Sequence, residues 1–181
     1  PVWLEQVHSK VVIDVTENQG VTPKADAAFS TEQHHPCVVM TADCLPLLVT
    51  DKQASCVAAI HAGWRGLADG IIESTINTLP VNNSDLLVWL GPAIGPEAYE
   101  VGADVRQAFI QHDKKAEVAF KQIDDTHWLM DIYQLATQRL NQAGVQQVYG
   151  GEYCTYTDSE RFYSYRRDNI TGRMASIIWL E

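Results

Sequence analysis

The chain predicts an α/β (α+β) sandwich built on a mixed β-sheet. Three observations carry that expectation. Short β-branched or apolar runs, each bounded by turn residues, recur along the chain. Segments of helical period lie between them without strict strand–helix alternation, which argues against a purely parallel sheet. Hydrophobic residues make up 46% of the 181 positions, enough for one substantial core. Residues 1–181 read as a single domain, since no repeat, linker or low-complexity stretch divides them.

Residues 11–15 (VVIDV) open the series of strands. Residues 37–40, continued by Thr41-Ala42, and residues 47–50 follow. Asp51-Lys52-Gln53 suits a hairpin turn into residues 55–61 (SCVAAIH), which have the pattern of a buried strand. Gly63 and Gly66 bracket Trp64-Arg65. Leu67, Ile71, Ile72, Ile76 and Leu79 then fall on one helical face, and Pro80 stops that helix. Residues 86–90 form a strand that runs into the loop Gly91-Pro92-Ala93-Ile94-Gly95-Pro96. Two helices are expected over residues 103–111 and 114–120. Asp131 has the character of an N-cap for a helix reaching Ala143 and closed by Gly144. The C-terminal part reads as strands, clearest over residues 174–180.

Lysine and arginine total 13 against 23 acidic residues, a net charge of −10. A protein that binds nucleic acid by neutralising phosphates needs the opposite balance, so no nucleic-acid partner is expected. A small anionic substrate remains compatible, because a few local arginines outweigh the net field at short range. No apolar run approaches the ~18 residues of a membrane span, and no signal peptide is visible. Cys37, Cys44, Cys56 and Cys154 form no CxxC pair and no tight framework. Thiols so dispersed point to a reducing compartment, the cytoplasm, where cysteines are buried, catalytic or metal-bound more often than bridged. The chain starts at Pro1 and enters directly into the strand-like Val2-Trp3-Leu4, which gives the expectation of a missing N-terminal piece.

Three residues stand where chemistry is plausible. His8 follows Glu5-Gln6-Val7, Cys44 breaks a strand before Leu45-Pro46, and His61 ends an apolar strand. Two imidazoles and one thiolate make a three-ligand set of the catalytic-zinc kind, with a fourth position left for water or substrate. The plain alternative is three ordinary strand-end residues. A third reading pairs Cys44 with His61 as nucleophile and base, with Asp43 or Gln6 orienting the ring. Arg65, between two glycines at the start of a helix, suits an anion, as does Arg166 within Ser164-Tyr165-Arg166-Arg167-Asp168. The bland counterparts are a solvated arginine in a glycine-flanked turn and a surface strand whose charges pair internally. Trp64, Tyr163 and Tyr165 are candidates to stack on an aromatic ring. His34, His35, His112 and His127 read as solvated, and Cys37, Cys56 and Cys154 as packed thiols.

The chain resembles the bacterial laccase-domain family, in its gammaproteobacterial type. The matching segments are Leu4-Glu5-Gln6-Val7-His8-Ser9, Ala25-Asp26-Ala27, residues 41–47 (TADCLPL), His61-Ala62-Gly63-Trp64-Arg65-Gly66, and residues 91–96 with Tyr99-Glu100-Val101-Gly102. Ser164-Tyr165-Arg166-Arg167 and Thr171-Gly172-Arg173 complete the series, in order along essentially the whole chain. Members are named variously polyphenol oxidase, peptidoglycan editing factor and purine nucleoside phosphorylase. The resemblance implies a zinc set at His8, Cys44 and His61, and a sandwich similar to the catalytic domain of the cytotoxic necrotising toxins. It implies a monomeric purine nucleoside phosphorylase acting on adenosine, inosine, guanosine and methylthioadenosine with phosphate, and an adenosine deaminase activity. Asp43, Cys44, His61 and Arg65 are then the expected catalytic residues, and Gln6, Arg65 and Arg166 the expected substrate and phosphate contacts. Family members begin with a further segment carrying Thr-Arg-x-Gly-Gly, which this chain lacks, and that segment is expected to wall the base pocket. Copper is the alternative ion at the same three residues, since it outcompetes zinc for nitrogen and sulfur donors. A multicopper oxidase needs a second histidine-rich cluster besides, and the chain's six histidines cannot furnish both. An amide hydrolase editing peptidoglycan precursors through Cys44 and His61 is the competing enzyme, and a non-enzymatic metal-binding or interaction protein the third possibility.

Overall fold

The computed structural model describes residues 1–17 and 20–181. The chain order begins β1 (Val12–Asp14), β2 (Ala27–Ser30), β3 (Cys37–Thr41), β4 (Leu45–Asp51), β5 (Val57–Ala62), α1 (Trp64–Asp69), α2 (Ile71–Ile76) and β6 (Leu86–Leu90). It continues with β7 (Glu100–Gly102), α3 (Ala103–His112), β8 (Phe120–Gln122), β9 (His127–Met130), α4 (Ile132–Gln142), β10 (Gln147–Gly150), α5 (Tyr165–Asp168) and β11 (Met174–Ile178).

Among the described residues the main sheet has six strands in the order β1-β2-β5-β4-β6-β10. Its outer pairs, β1 with β2 and β6 with β10, are parallel; the inner ones are antiparallel. The sheet is therefore mixed, as the absence of strict alternation predicts. β5 is buried at every position, which requires cover on both faces. Ala58, Ile60 and Ala62 point into a core shared with Leu67, Ile71, Ile72, Ile132 and Leu140 of the helical layer. Val57 and Ala59, of opposite parity, join Cys37 and Val39 of β3 in a second core. There β3 pairs antiparallel with β11, and this small sheet closes the other face. A further antiparallel sheet, β7-β9-β8, lies outside the main one. Among the described residues no helix is long and apolar enough to cross a membrane.

Several elements differ from expectation. The single helix expected through Leu67 and Leu79 is two, because Gly70 adopts φ +100° and its N–H closes α1 onto the Gly66 and Leu67 carbonyls. Buried Arg139 of α4 then ties the two pieces together, bonding Glu73 at 2.7 Å and the Ala68 carbonyl at 3.1 Å. Lys114–Ala119 is a 3-10 helix, and Phe120 already belongs to a strand. Ser164-Tyr165-Arg166-Arg167-Asp168 is a capped helical turn rather than a surface strand, with Ser164 Oγ accepting from the Arg167 N–H. β2 escapes the sequence reading because Ala-Ala-Phe-Ser carries no β-branched residue. The strands of the outer sheet escape it because three or four residues show no period. β6 and the Asp131 cap fall as expected; the cap accepts from the Gln134 N–H at 2.9 Å.

The hairpin between β4 and β5 turns on Asp51, as the sequence indicates. Its buried carboxylate accepts the main-chain N–H groups of Gln53, Ser55 and Cys56 and the Ser55 hydroxyl, at 2.6–3.1 Å. Burial alone would raise its pKa, but these donors hold the carboxyl below the usual carboxylate range. Stability from the charged form is therefore present above the unfolded pKa near 4 and lost as pH falls through the lower folded pKa. We expect Asp51→Asn to cost about 1–3 kcal/mol at pH 7, read by chemical denaturation. The gap to wild type should close as pH falls below 4. A gap independent of pH would assign the loss to packing instead.

Candidate functional site

Strand register brings the site together. Pro46 of β4 pairs with His61 of β5, so Cys44, two residues earlier, stands beside the end of β5. Ala27 of β2 pairs with Ile60, so Asp26 stands on the other side of His61, whose N–H donates to the Asp26 carbonyl at 2.7 Å. His8 arrives on the N-terminal segment, held by a bridge from Glu5 to Lys24 and by the Asp26 N–H donating to the Val11 carbonyl at 3.0 Å.

One donor atom from each of His8, Cys44 and His61 lies within 4.8 Å of the others. Cys44 Sγ is 3.7 Å from His8 Nε2, and the two imidazoles meet edge to face with centroids 4.8 Å apart. Among the described residues no other trio of such side chains converges this way. Gly63 makes the room. A Cβ there would come within 2.4 Å of His8 Cδ2 and 3.1 Å of Cys44 Sγ. A Cβ on Gly66 would press on the Ser9 carbonyl at 2.9 Å. These glycines thus make room for the His8 loop. Two imidazole nitrogens and a sulfur at this spacing fit a divalent transition metal of the zinc type.

His61 is oriented by Asp26, whose carboxylate lies 2.8 Å from His61 Nδ1. That role was expected of Asp43 or Gln6. Instead, the Asp43 carboxylate accepts from the Thr155 hydroxyl at 2.6 Å, the Ser164 hydroxyl at 3.1 Å and the Arg166 N–H at 2.7 Å. It ties the site loop to the C-terminal region and does not reach the His61 ring. Gln6 spends its amide on the N–H and carbonyl of Met40, each at 2.8 Å.

The charges reinforce one another. Burial pushes the Cys44 thiol up, but hydrogen bonding with His61 and His8 outweighs it and brings the thiol down to about 6. Burial disfavours protonated His61, yet Asp26 and Cys44 together raise it to about 9. Burial raises the Asp26 carboxyl, and bonds from His61, Ser9 and His8 more than reverse that, to about 2. Cys44 and Asp26 thus both favour a proton on the imidazole between them.

These side chains open onto a cavity of about 390 Å³, within the usual range for small-molecule sites. Gln6, Thr41, Asp43, Tyr99, Tyr165, Arg166 and Arg173 line it together with His8, Cys44 and His61. Arg65 does not. Its exposed guanidinium lies 4.4 Å over the Trp64 ring. Arg166 lies over the Tyr99 ring at 5.3 Å and donates to the Glu100 carbonyl at 3.0 Å. Of the aromatic candidates only Tyr165 reaches the cavity, joined by Tyr99; Tyr163 packs on Gly172 instead. The sequence reading carried Asp26, Tyr99 and Arg173 only within the family motifs and gave them no role at the site. Asp26 carries a signal in retrospect, since a carboxylate between two alanines is rarely buried without a partner.

Comparison with known proteins agrees with this architecture. The family model described as multi-copper polyphenol oxidoreductase laccase matches residues 1–181. A protein named purine nucleoside phosphorylase YfiH, from Escherichia coli strain K12, is 54% identical over 99% of this chain and 74% of its own length. One from Haemophilus influenzae, named purine nucleoside phosphorylase, is 49% identical over the whole chain and 75% of its own length. Among solved structures, Neisseria meningitidis protein NMB0706 superposes with a TM-score of 0.96 at 46% identity, covering 99% of this chain and 76% of that one. The protein belongs to the laccase-domain family of that model.

Proposed function

We propose that the protein is a zinc-dependent purine nucleoside phosphorylase. The observation that carries the reading is the approach of the His8, Cys44 and His61 donor atoms to within 4.8 Å, in a cavity that Arg166 and Arg173 also line. The names of the relatives supply the substrate class. Adenosine, inosine, guanosine and methylthioadenosine are the proposed nucleosides, with deamination of adenosine as a second activity and copper as the alternative ion.

In phosphorolysis a phosphate oxygen bonds to the anomeric carbon, the glycosidic carbon–nitrogen bond breaks, and the departing base takes a proton. Arg166 is suited to hold the phosphate. Its main chain is pinned to Asp43 and one guanidinium nitrogen to the Glu100 carbonyl, which leaves further N–H groups for an anion. Arg173 would share the negative charge from the opposite end of the sequence motif. Tyr99 and Tyr165 offer flat faces to the base. His8, Cys44 and His61 would hold the ion, which when bound would supply Lewis-acid chemistry.

One observation favours a second reading. Cys44, His61 and Asp26 are also arranged as nucleophile, base and orienting carboxylate, the requirement for amide hydrolysis, with a peptidoglycan precursor as the proposed substrate. Both readings need Cys44, so the ion separates them.

Cys44→Ala should lose bound metal and inosine phosphorolysis together, measured by elemental mass spectrometry and hypoxanthine release in the presence of phosphate. Metal retained with activity gone, or precursor hydrolysis by metal-free wild type, would favour the thiol nucleophile. Arg166→Ala should raise the KM for phosphate roughly 10- to 100-fold, the worth of a charge-assisted hydrogen bond of about 1.5–3 kcal/mol. Arg65→Ala, whose guanidinium is solvated outside the cavity lining, should change it far less. Equal effects of the two substitutions would show the phosphate to lie nearer α1.

A further inference from the structure

We propose that Asp26 is a positioning residue for the His8–Cys44–His61 site: one carboxylate fixes both imidazoles and thereby sets how tightly the site holds its ion. The inference rests on the metal-dependent reading above. The Asp26 side chain is fully buried, with 0% exposure, which is costly for a carboxylate unless its oxygens are well paired. They are. Oδ1 accepts from His61 Nδ1 at 2.8 Å and from the His8 main-chain N–H at 2.9 Å. Oδ2 accepts from the Ser9 N–H at 2.6 Å, the Ser9 hydroxyl at 2.7 Å and the Val7 N–H at 3.3 Å. A single oxygen atom therefore spans the two histidines.

Each contact constrains a donor atom. With Nδ1 donating to Asp26, His61 keeps its lone pair on Nε2, the nitrogen remaining for Cys44 and the ion. His8 is held differently, through its backbone. It sits at φ +61°, a left-handed conformation that non-glycine residues rarely adopt without something to hold it. The N–H groups of three consecutive residues, 7 to 9, converge on the carboxylate and hold that turn. The turn in turn brings His8 Nε2 to 3.7 Å from Cys44 Sγ. An amide in its place keeps one acceptor oxygen and turns N–H groups toward the other donors, so the His61 ring and the 7–9 turn can no longer both be held, while all three donor side chains stay present.

The test is the zinc affinity of Asp26→Asn, measured by competition with a chromogenic chelator, together with the cobalt(II) spectrum of the substituted protein. Zinc should bind roughly 10- to 100-fold more weakly, with shifted thiolate-to-cobalt bands, in a variant whose metal-free melting curve is still cooperative. A folded Asp26→Asn with wild-type zinc affinity and an unchanged cobalt spectrum would overturn the inference. Should that variant not fold, imidazole nitrogen NMR of zinc-loaded wild type decides. A proton on His61 Nδ1 supports the inference, and ligation through Nδ1 refutes it. A wild type that binds neither zinc nor cobalt removes the metal-dependent reading, and this inference with it.

Discussion

The position of β5 between β2 and β4 is the constraint on which the rest depends. Six consecutive buried residues, with side chains divided between two cores, leave that strand no alternative register, because a one-residue slip would exchange its two faces. Fixing β5 fixes its end at His61. The pairing with β4 then delivers Cys44, and the pairing with β2 delivers Asp26. Apolar packing, which carries no chemical information of its own, thus brings together a thiol, an imidazole and a carboxylate. The fourth group, His8, is recruited by the carboxylate rather than by the sheet.

Two buried aspartates divide the polar work around this point. Asp26 faces the N-terminal segment and the His61 ring. Asp43, at φ +85°, faces the C-terminal region through Thr155, Ser164 and the Arg166 N–H. Each gathers donors from segments distant from it in sequence and satisfies its charge with several hydrogen bonds. The cavity consequently has walls from both ends of the chain, and Arg166 reaches it because its backbone is pinned to the loop that carries Cys44. In a chain of net charge −10, the neighbouring Arg166 and Arg173 make this cavity the local exception that an anionic substrate requires.

Arg65 shows how one sequence motif can be divided between different surroundings in space. It stands four residues after His61 in a glycine-flanked motif, and spacing alone favours an anion site there. The glycines are needed because His8, Cys44 and the Ser9 carbonyl occupy the space their Cβ atoms would fill. The same motif, seen in three dimensions, is a packing device for the His8 loop. Arg65 turns outward onto Trp64.

Local chemistry was legible in the sequence. The buried character of β5, the bounds of β6, the Asp51 turn and the Asp131 cap depend on residues within a few positions of one another. The candidacy of His8, Cys44 and His61 followed from residue type at strand ends, and the family resemblance from motifs in order. The mixed sheet followed from the lack of strict alternation. What only the tertiary structure decided is the set of partners. Asp26 lies 35 residues from the imidazole it orients, and Asp43 lies 112 from Thr155. Such pairs depend on strand register and on which face each side chain takes, and a linear pattern encodes periodicity but not which strand lies beside which. The short strands β7 to β9 stayed hidden for the same reason: they exist because neighbours supply their hydrogen bonds, not because their own three or four residues demand an extended chain.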